Sequence, residues 1–175
     1  ISMSIYIISD ISFNNVNNAG NEASLERYNT ALINKWNSIV SDDDKVLVFG
    51  NFARGTGSTI RGIINQLKGK IYIVQHSYNN FFEKSRWHKY GIDKVWNCSC
   101  TYTFKDNEGH NHRVYFPLEE KLKNPKSHEY ICVRENYMDT VIQDNILNIG
   151  AKFWDYGPIK LEELPKIFER LKDFK

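Results

Sequence analysis

Three short apolar runs limit what this chain can fold into: Ser4-Ile5-Tyr6-Ile7-Ile8-Ser9, Lys45-Val46-Leu47-Val48-Phe49-Gly50 and Lys70-Ile71-Tyr72-Ile73-Val74-Gln75. Each is rich in β-branched residues with little polar interruption, the pattern of a strand buried on both faces. Between the first two, Leu25, Tyr28, Ala31, Leu32, Lys35, Trp36 and Ile39 recur every three or four residues. That spacing predicts an amphipathic helix from Ser24, ending before Ser41-Asp42-Asp43-Asp44. Between the second and third runs, Ile60, Ile63, Ile64 and Leu67 form one face of a helix over 58–67, with Ser58 as its first cap and Gly69 as its last. Strand, helix, strand, helix, strand is the order of a parallel sheet with helices packed on it. Ligands of such sheets bind beyond the carboxyl ends of the strands.

The rest of the chain has a different texture. The Asn-rich stretch Asn14 to Asn21 reads as loop, and Phe81 to Tyr90 as a helix. Alternation over Lys94 to Phe104, the turn Lys105-Asp106-Asn107-Glu108-Gly109, and Asn111 to Phe116 read as an antiparallel hairpin. Tyr130 to Arg134 and Ile146 to Ile149 offer two more strands, and Leu161 to Leu171 a closing helix. At 175 residues and 41% hydrophobic, the chain can bury one sizeable core, so a single domain over 1–175 is expected. Lys plus Arg exceed Asp plus Glu by only 23 to 21, which leaves no electrostatic footprint for duplex nucleic acid or an anionic membrane. No apolar stretch approaches the roughly 20 residues of a transmembrane helix, so a soluble, cytoplasmic protein is expected.

Smaller features divide into structural and functional readings. Cys98, Cys100 and Cys132 are too few for a disulfide framework. Cys98-Ser99-Cys100 would present two thiols on one face of a strand, half of a zinc site without its other half. In "RGTGSTIRG", glycines 55, 57 and 62 fit neither the dinucleotide spacing nor a phosphate loop. The amides at that helix start, with Arg54 and Arg61 nearby, could still hold a phosphate. Trp36, Trp154 and Tyr156 read as core, while Tyr78, Phe81, Phe82, Arg86 and Trp87 are what a binder of single-stranded nucleic acid would use.

The blocks "IYIISDISFNN", "LINKWNSIVSDDDKVLVFGNFARG", "LKGKIYIV", "VYFPLEE" and "LNIGAKFWDYGPIKLEEL", taken in order, resemble the calcineurin-like metallophosphoesterases, in particular the small bacterial and phage members. The resemblance implies a four-layer α-β-β-α sandwich of two mixed sheets with a two-metal site at the strand ends. In such a site two divalent ions about 3.5–4 Å apart hold the hydroxide that attacks phosphorus. The family's ligands fall on positions that have mostly changed. Asp10 is kept, but Ser12 stands where the family has an imidazole, and Asn51 replaces the carboxylate that bridges both ions. After the third strand the chain has His76, Ser77, Tyr78 and Asn79 in place of Gly-Asn-His followed by an acid. Tyr115 stands at a later histidine position. The family's Gly-His-any-His falls on Ile131, Cys132, Val133 and Arg134, and a guanidinium ligates no metal.

The resemblance therefore implies a pseudoenzyme without metal or cofactor. Its emptied mouth would be Asp10, Ser12, Asn51, Arg54, His76, Asn79, Tyr115, Cys132 and Arg134. Such a chain would bind a protein partner or a phosphate-bearing ligand, a phage-type host-interaction or inhibitor role being one form of this. The alternative is a weak or single-metal phosphodiesterase or phosphatase, with Asp10, His76 and Cys132 around one ion. Arg54 and Arg134 at one mouth would make an anion pocket, or would be solvated charge.

Overall fold

The computed structural model describes residues 3–75, 84–118 and 122–173. The three apolar runs become β1 (Ile5–Ser9), β2 (Lys45–Phe49) and β3 (Lys70–Val74), parallel and in direct register, with β4 (Lys94–Trp96) parallel beyond β3. A two-residue strand, β10 (Ile159–Lys160), pairs antiparallel with β1 and completes a sheet ordered β10-β1-β2-β3-β4. The second sheet consists of β5 (Cys100–Lys105), β6 (Asn111–Phe116), β7 (Glu129–Val133), β8 (Ile142–Gln143) and β9 (Ile146–Asn148), ordered β5-β6-β7-β9-β8. It too is mixed: β5 and β8 run antiparallel to their neighbours, whereas β6, β7 and β9 are parallel. The architecture is α/β, two mixed sheets flanked by helices.

Residues two apart along a strand face the same side, so the uninterrupted runs feed two cores at once. Ile8, Val46, Val48, Ile71 and Ile73 pack against α2 (Leu25–Ile39), α3 (Gly57–Ile64) and α4 (Lys84–Tyr90) through Leu32, Trp36, Ile60, Ile63 and Trp87. Ile7, Leu47, Phe49 and Val74 meet Val114, Phe116, Cys132 and Leu147 of the second sheet. Phe49 and Phe116 cross edge to face with ring centres 5.9 Å apart, a contact worth about 0.5–1.5 kcal/mol beyond its buried area. The last helix, α5 (Leu164–Lys172), adds Leu164 and Phe168 to this inter-sheet core, where Phe168 stacks on Tyr130 at 4.8 Å.

Several local expectations are corrected. The Asn-rich stretch is not all loop: Val16–Ala19 forms one helical turn, α1, and Glu22–Ser24 a 3₁₀ turn. Asn15 and Asn21 cap them by accepting the backbone N–H of Asn17 and Ser24. Lys94 to Phe104 is not one strand. The chain bends at Asn97-Cys98-Ser99 and changes sheets, so only β5 joins β6 in the hairpin. Both pieces keep the two-residue period, and the period alone hides the break.

The cap of α3 is Thr56, whose hydroxyl accepts from the N–H of Thr59, and not Ser58, which lies inside the helix. That helix ends at Ile64 with Asn65 as its cap, and Gly69, at φ +84°, instead turns the chain into β3. The closing helix starts at Leu164, after a 3₁₀ turn over Leu161–Glu163. The part of the expected 81–90 helix before residue 84 lies outside the described residues. Among the described residues no helix is long and apolar enough to cross a membrane.

Candidate functional site

The carboxyl ends of β1, β2 and β7 converge, and three chain segments leave them side by side. After β1 the chain stays zipped to the segment after β2: the N–H groups of Asp10, Ser12 and Phe13 donate to the carbonyls of Phe49, Asn51 and Phe52, and Arg54 N–H returns to the Phe13 carbonyl. To follow this path Asp10, Ser12 and Asn14 each take a left-handed backbone conformation, with φ of 52°, 53° and 58°. Non-glycine residues in that region cost about 1–3 kcal/mol each and persist where their surroundings hold them. The holding contacts are visible. Tyr28 donates its hydroxyl to the Ser12 carbonyl at 3.0 Å. Asn29 accepts the Asn14 N–H at 2.6 Å and donates to the Asn14 side chain at 3.1 Å.

At the centre lies the Asp10 carboxylate, 1% exposed, and it is gripped by Arg134, whose side chain is 19% exposed. Arg134 Nη2 reaches Oδ1 at 2.7 Å, and Nε lies 3.0 and 3.1 Å from Oδ1 and Oδ2. Backbone N–H groups of Asn51 and Glu135 add contacts at 3.0 and 3.4 Å. Charge-assisted forks of this kind are both stronger and more directional than neutral hydrogen bonds. Gly50 makes room for the pair. A Cβ there would stand 2.6 Å from Asp10 Oδ1 and closer still to Arg134 Nε.

Arg134 opens a turn at the mouth, closed by Tyr137 N–H to the Arg134 carbonyl. Glu135 is half-buried, and its carboxyl is pushed above the ordinary range by burial and then by the Asp10 charge, against the opposing pull of Lys152 and Arg134. Asn136 and Tyr137 line a cavity of about 130 Å³ together with Phe49, Pro117, Val133 and Arg134.

Of the residues expected at the mouth, the structure joins Asp10, Asn51 and Arg134 directly and Ser12 through the backbone. Arg54 is exposed on the loop after β2, whereas Arg134 turns inward to Asp10. Cys132 is fully buried in the inter-sheet core, where desolvation pushes its thiol far up, and it is not a mouth residue. Tyr115 is half-buried, and strand alternation places it on the opposite face of β6 from Val114 and Phe116. His76 and Asn79 lie outside the described residues, as do Tyr78, Phe81 and Phe82.

The remaining candidates resolve into packing. Trp87 is 5% exposed and donates its indole N–H to Gln75, so it presents no stacking platform to a nucleic acid. Trp36 is core, and Trp154 donates to the Asn148 carbonyl. Gly57, at the start of α3, is packed under the Tyr90 ring, and a Cβ there would lie 2.8 Å from it. Cys98 is exposed in the bend, whereas Cys100 opens β5 with its thiol pushed up to about 12 by burial and by Cys98. Among the described residues no group of three or more His, Cys, Asp or Glu is arranged to hold a metal ion.

Glu135, Asn136 and Tyr137 are the functional candidates that sequence reasoning passed over. Their signal was position alone: a polar tetrapeptide directly after an apolar strand, at the end of the sheet where ligands bind.

No protein-family profile matches the chain. An uncharacterized protein of Methanocaldococcus jannaschii is 25% identical over 181 residues, covering 96% of this chain and 93% of that protein. The crystal structure of a protein of unknown function from Aquifex aeolicus aligns with a TM-score of 0.62 at 14% identity, covering 95% of this chain and 100% of that one. That likeness is one of fold.

Proposed function

We propose that this chain is a catalytically inactive relative of the metallophosphoesterases, a cytoplasmic protein that acts by binding a phosphate-bearing ligand or a protein partner at the strand-end mouth. One observation carries the reading. Asp10, the single acidic ligand position the resemblance leaves in place, is saturated by a cation of the chain itself, with Nη2 to Oδ1 at 2.7 Å. A divalent ion would have to displace a guanidinium held to that carboxylate by three short contacts. Asn51 contributes its backbone N–H to the same carboxylate, and its neutral side chain brings no second anion. An ion would therefore meet too few anionic oxygens to offset its dehydration.

The test combines elemental analysis of the purified protein with turnover of a chromogenic phosphodiester in added manganese. The expected result is substoichiometric metal and a rate at background. Two tightly held equivalents of metal, or robust manganese-dependent turnover, overturns the reading. Binding is tested separately, through the rise in melting temperature that a ligand of the folded state produces by mass action. Inorganic phosphate is expected to raise the melting temperature, and Arg54→Ala to diminish that rise.

A further inference from the structure

We propose that the cavity bounded by Phe49, Pro117, Val133, Arg134, Asn136 and Tyr137 takes the heteroaromatic base of a nucleotide, an assignment that rests on the phosphate-ligand reading and names its ligand. Size is the first argument. The cavity holds about 130 Å³, comparable to the roughly 150 Å³ apolar cavities that accommodate a benzene ring, so it fits one ring system rather than a peptide segment.

The second argument is the chemistry of the walls. Phe49, Pro117 and Val133 supply carbon surface and are buried, and Tyr137, 39% exposed, stands at the rim as an aromatic ring. Bases stack on such rings whatever their identity, because each has a π-face. Asn136 provides a planar amide with donor and acceptor side by side, the complement of the paired groups on a base edge. Arg134, held by Asp10, adds a polar edge to the wall.

The third argument is charge. Within the cavity wall the Arg134 cation is compensated by Asp10, so the cavity itself gives a bare phosphate little reason to enter, whereas it suits a neutral ring. The phosphate is left at the rim.

Thermal shifts with the four ribonucleosides, their 5′-monophosphates, ribose 5-phosphate and inorganic phosphate separate the parts. At least one nucleoside is expected to raise the melting temperature, and its monophosphate to raise it further than ribose 5-phosphate at equal concentration. By calorimetric titration, Tyr137→Ala is expected to weaken that nucleotide about tenfold or more, and Tyr137→Phe to restore it. Asn136→Ala is expected to lose the preference among bases, and it keeps the proposal testable should Tyr137→Ala lower the melting temperature of the free protein. Failure of all four nucleosides, or ribose 5-phosphate matching every nucleotide, overturns the proposal. So does phenol matching the best nucleoside, which would mark a generic apolar hole. A nucleoside that binds while inorganic phosphate does not leaves the base cavity standing and sinks the phosphate reading alone. The reverse outcome sinks the base cavity alone.

Discussion

Arg134 and Asp10, 124 residues apart in sequence, form a forked ion pair at the junction of the two sheets, with Nη2 and Oδ1 2.7 Å apart. The pair does structural work at the place where the strand ends meet. It ties the turn after β7 to the segment after β1, and through the Asn51 N–H it reaches the segment after β2 as well. It also fixes the electrostatics of the mouth, because a carboxylate satisfied by an internal cation neither attracts an ion nor repels an anionic ligand strongly.

Removing one partner should expose how much the pair contributes. Arg134→Met leaves Asp10 buried without its cation, and breaking a buried pair costs about 3–5 kcal/mol. The lower end is expected here, because the Arg134 side chain keeps 19% of its surface. The double variant Asp10→Asn with Arg134→Met should recover most of the loss, since no charge is then stranded. Urea unfolding of the two single variants and the double variant measures this, and a loss below about 1 kcal/mol for Arg134→Met would show that solvent compensates Asp10.

Gly50→Ala tests the same junction from the backbone. At φ +82° an alanine is strained by about 1–2 kcal/mol, and its methyl would also press on Asp10 Oδ1 and Arg134 Nε. A loss of at least about 2 kcal/mol is expected. Gly62→Ala is the contrast: nothing lies within 4 Å of its Cβ, it sits inside α3, and it should gain about 0.5–1 kcal/mol through helix propensity. Equal melting temperatures for the two variants would contradict both assignments.

How much of this was legible beforehand depends on the range of the forces involved. β1, β2, β3 and α2 declare themselves because each buries a continuous apolar face, and residues such as Val46, Val48 and Trp36 carry that signal locally. β8 and β10 are two residues long, too short to hold any period, and exist only because β9 and β1 offer them a partner. The site divides in the same way. Asp10, Asn51 and Arg134 could be singled out by type and position, but their meeting depends on the second sheet bringing β7 beside β1. Cys132 was misplaced for the converse reason. A thiol reads equally well as a ligand or as a small apolar side chain, and strand alternation, with Val114 and Phe116 on the same inward face, settles it as core.

Glu135 offers a pH-dependent test. A carboxyl that binds its proton more tightly in the folded chain than in the unfolded one costs stability once it ionises. For Glu135, raised by burial and by Asp10, that cost is absent below the unfolded-state value of about 4.3, sets in as pH rises through the higher folded-state value, and is complete above it. Glu135→Gln should therefore raise the melting temperature at pH 7 and lose that advantage by pH 3.5. A variant less stable than the parent at pH 7 would mean that the ionised carboxylate makes a favourable contact, with Lys152 as the first suspect.

Recovery of activity is the sharpest test of the pseudoenzyme reading, and the Asp10–Arg134 pair dictates its order. Asn51→Asp alone should give no phosphodiesterase, because Arg134 still occupies Asp10 and one new carboxylate cannot clamp two ions around a hydroxide. Ser12→His with Asn51→Asp should fail for the same reason. Arg134→His frees Asp10 and adds an imidazole, so metal uptake should first appear in the triple variant with Ser12→His, Asn51→Asp and Arg134→His, ahead of any turnover. Residues that act as a unit gain little until the set is nearly complete. Isothermal titration with manganese follows the first step and a chromogenic phosphodiester the second. Manganese binding by Asn51→Asp with Arg134 intact would mean that the guanidinium yields readily to a divalent ion, and the ion pair would then be a resting state of a working centre.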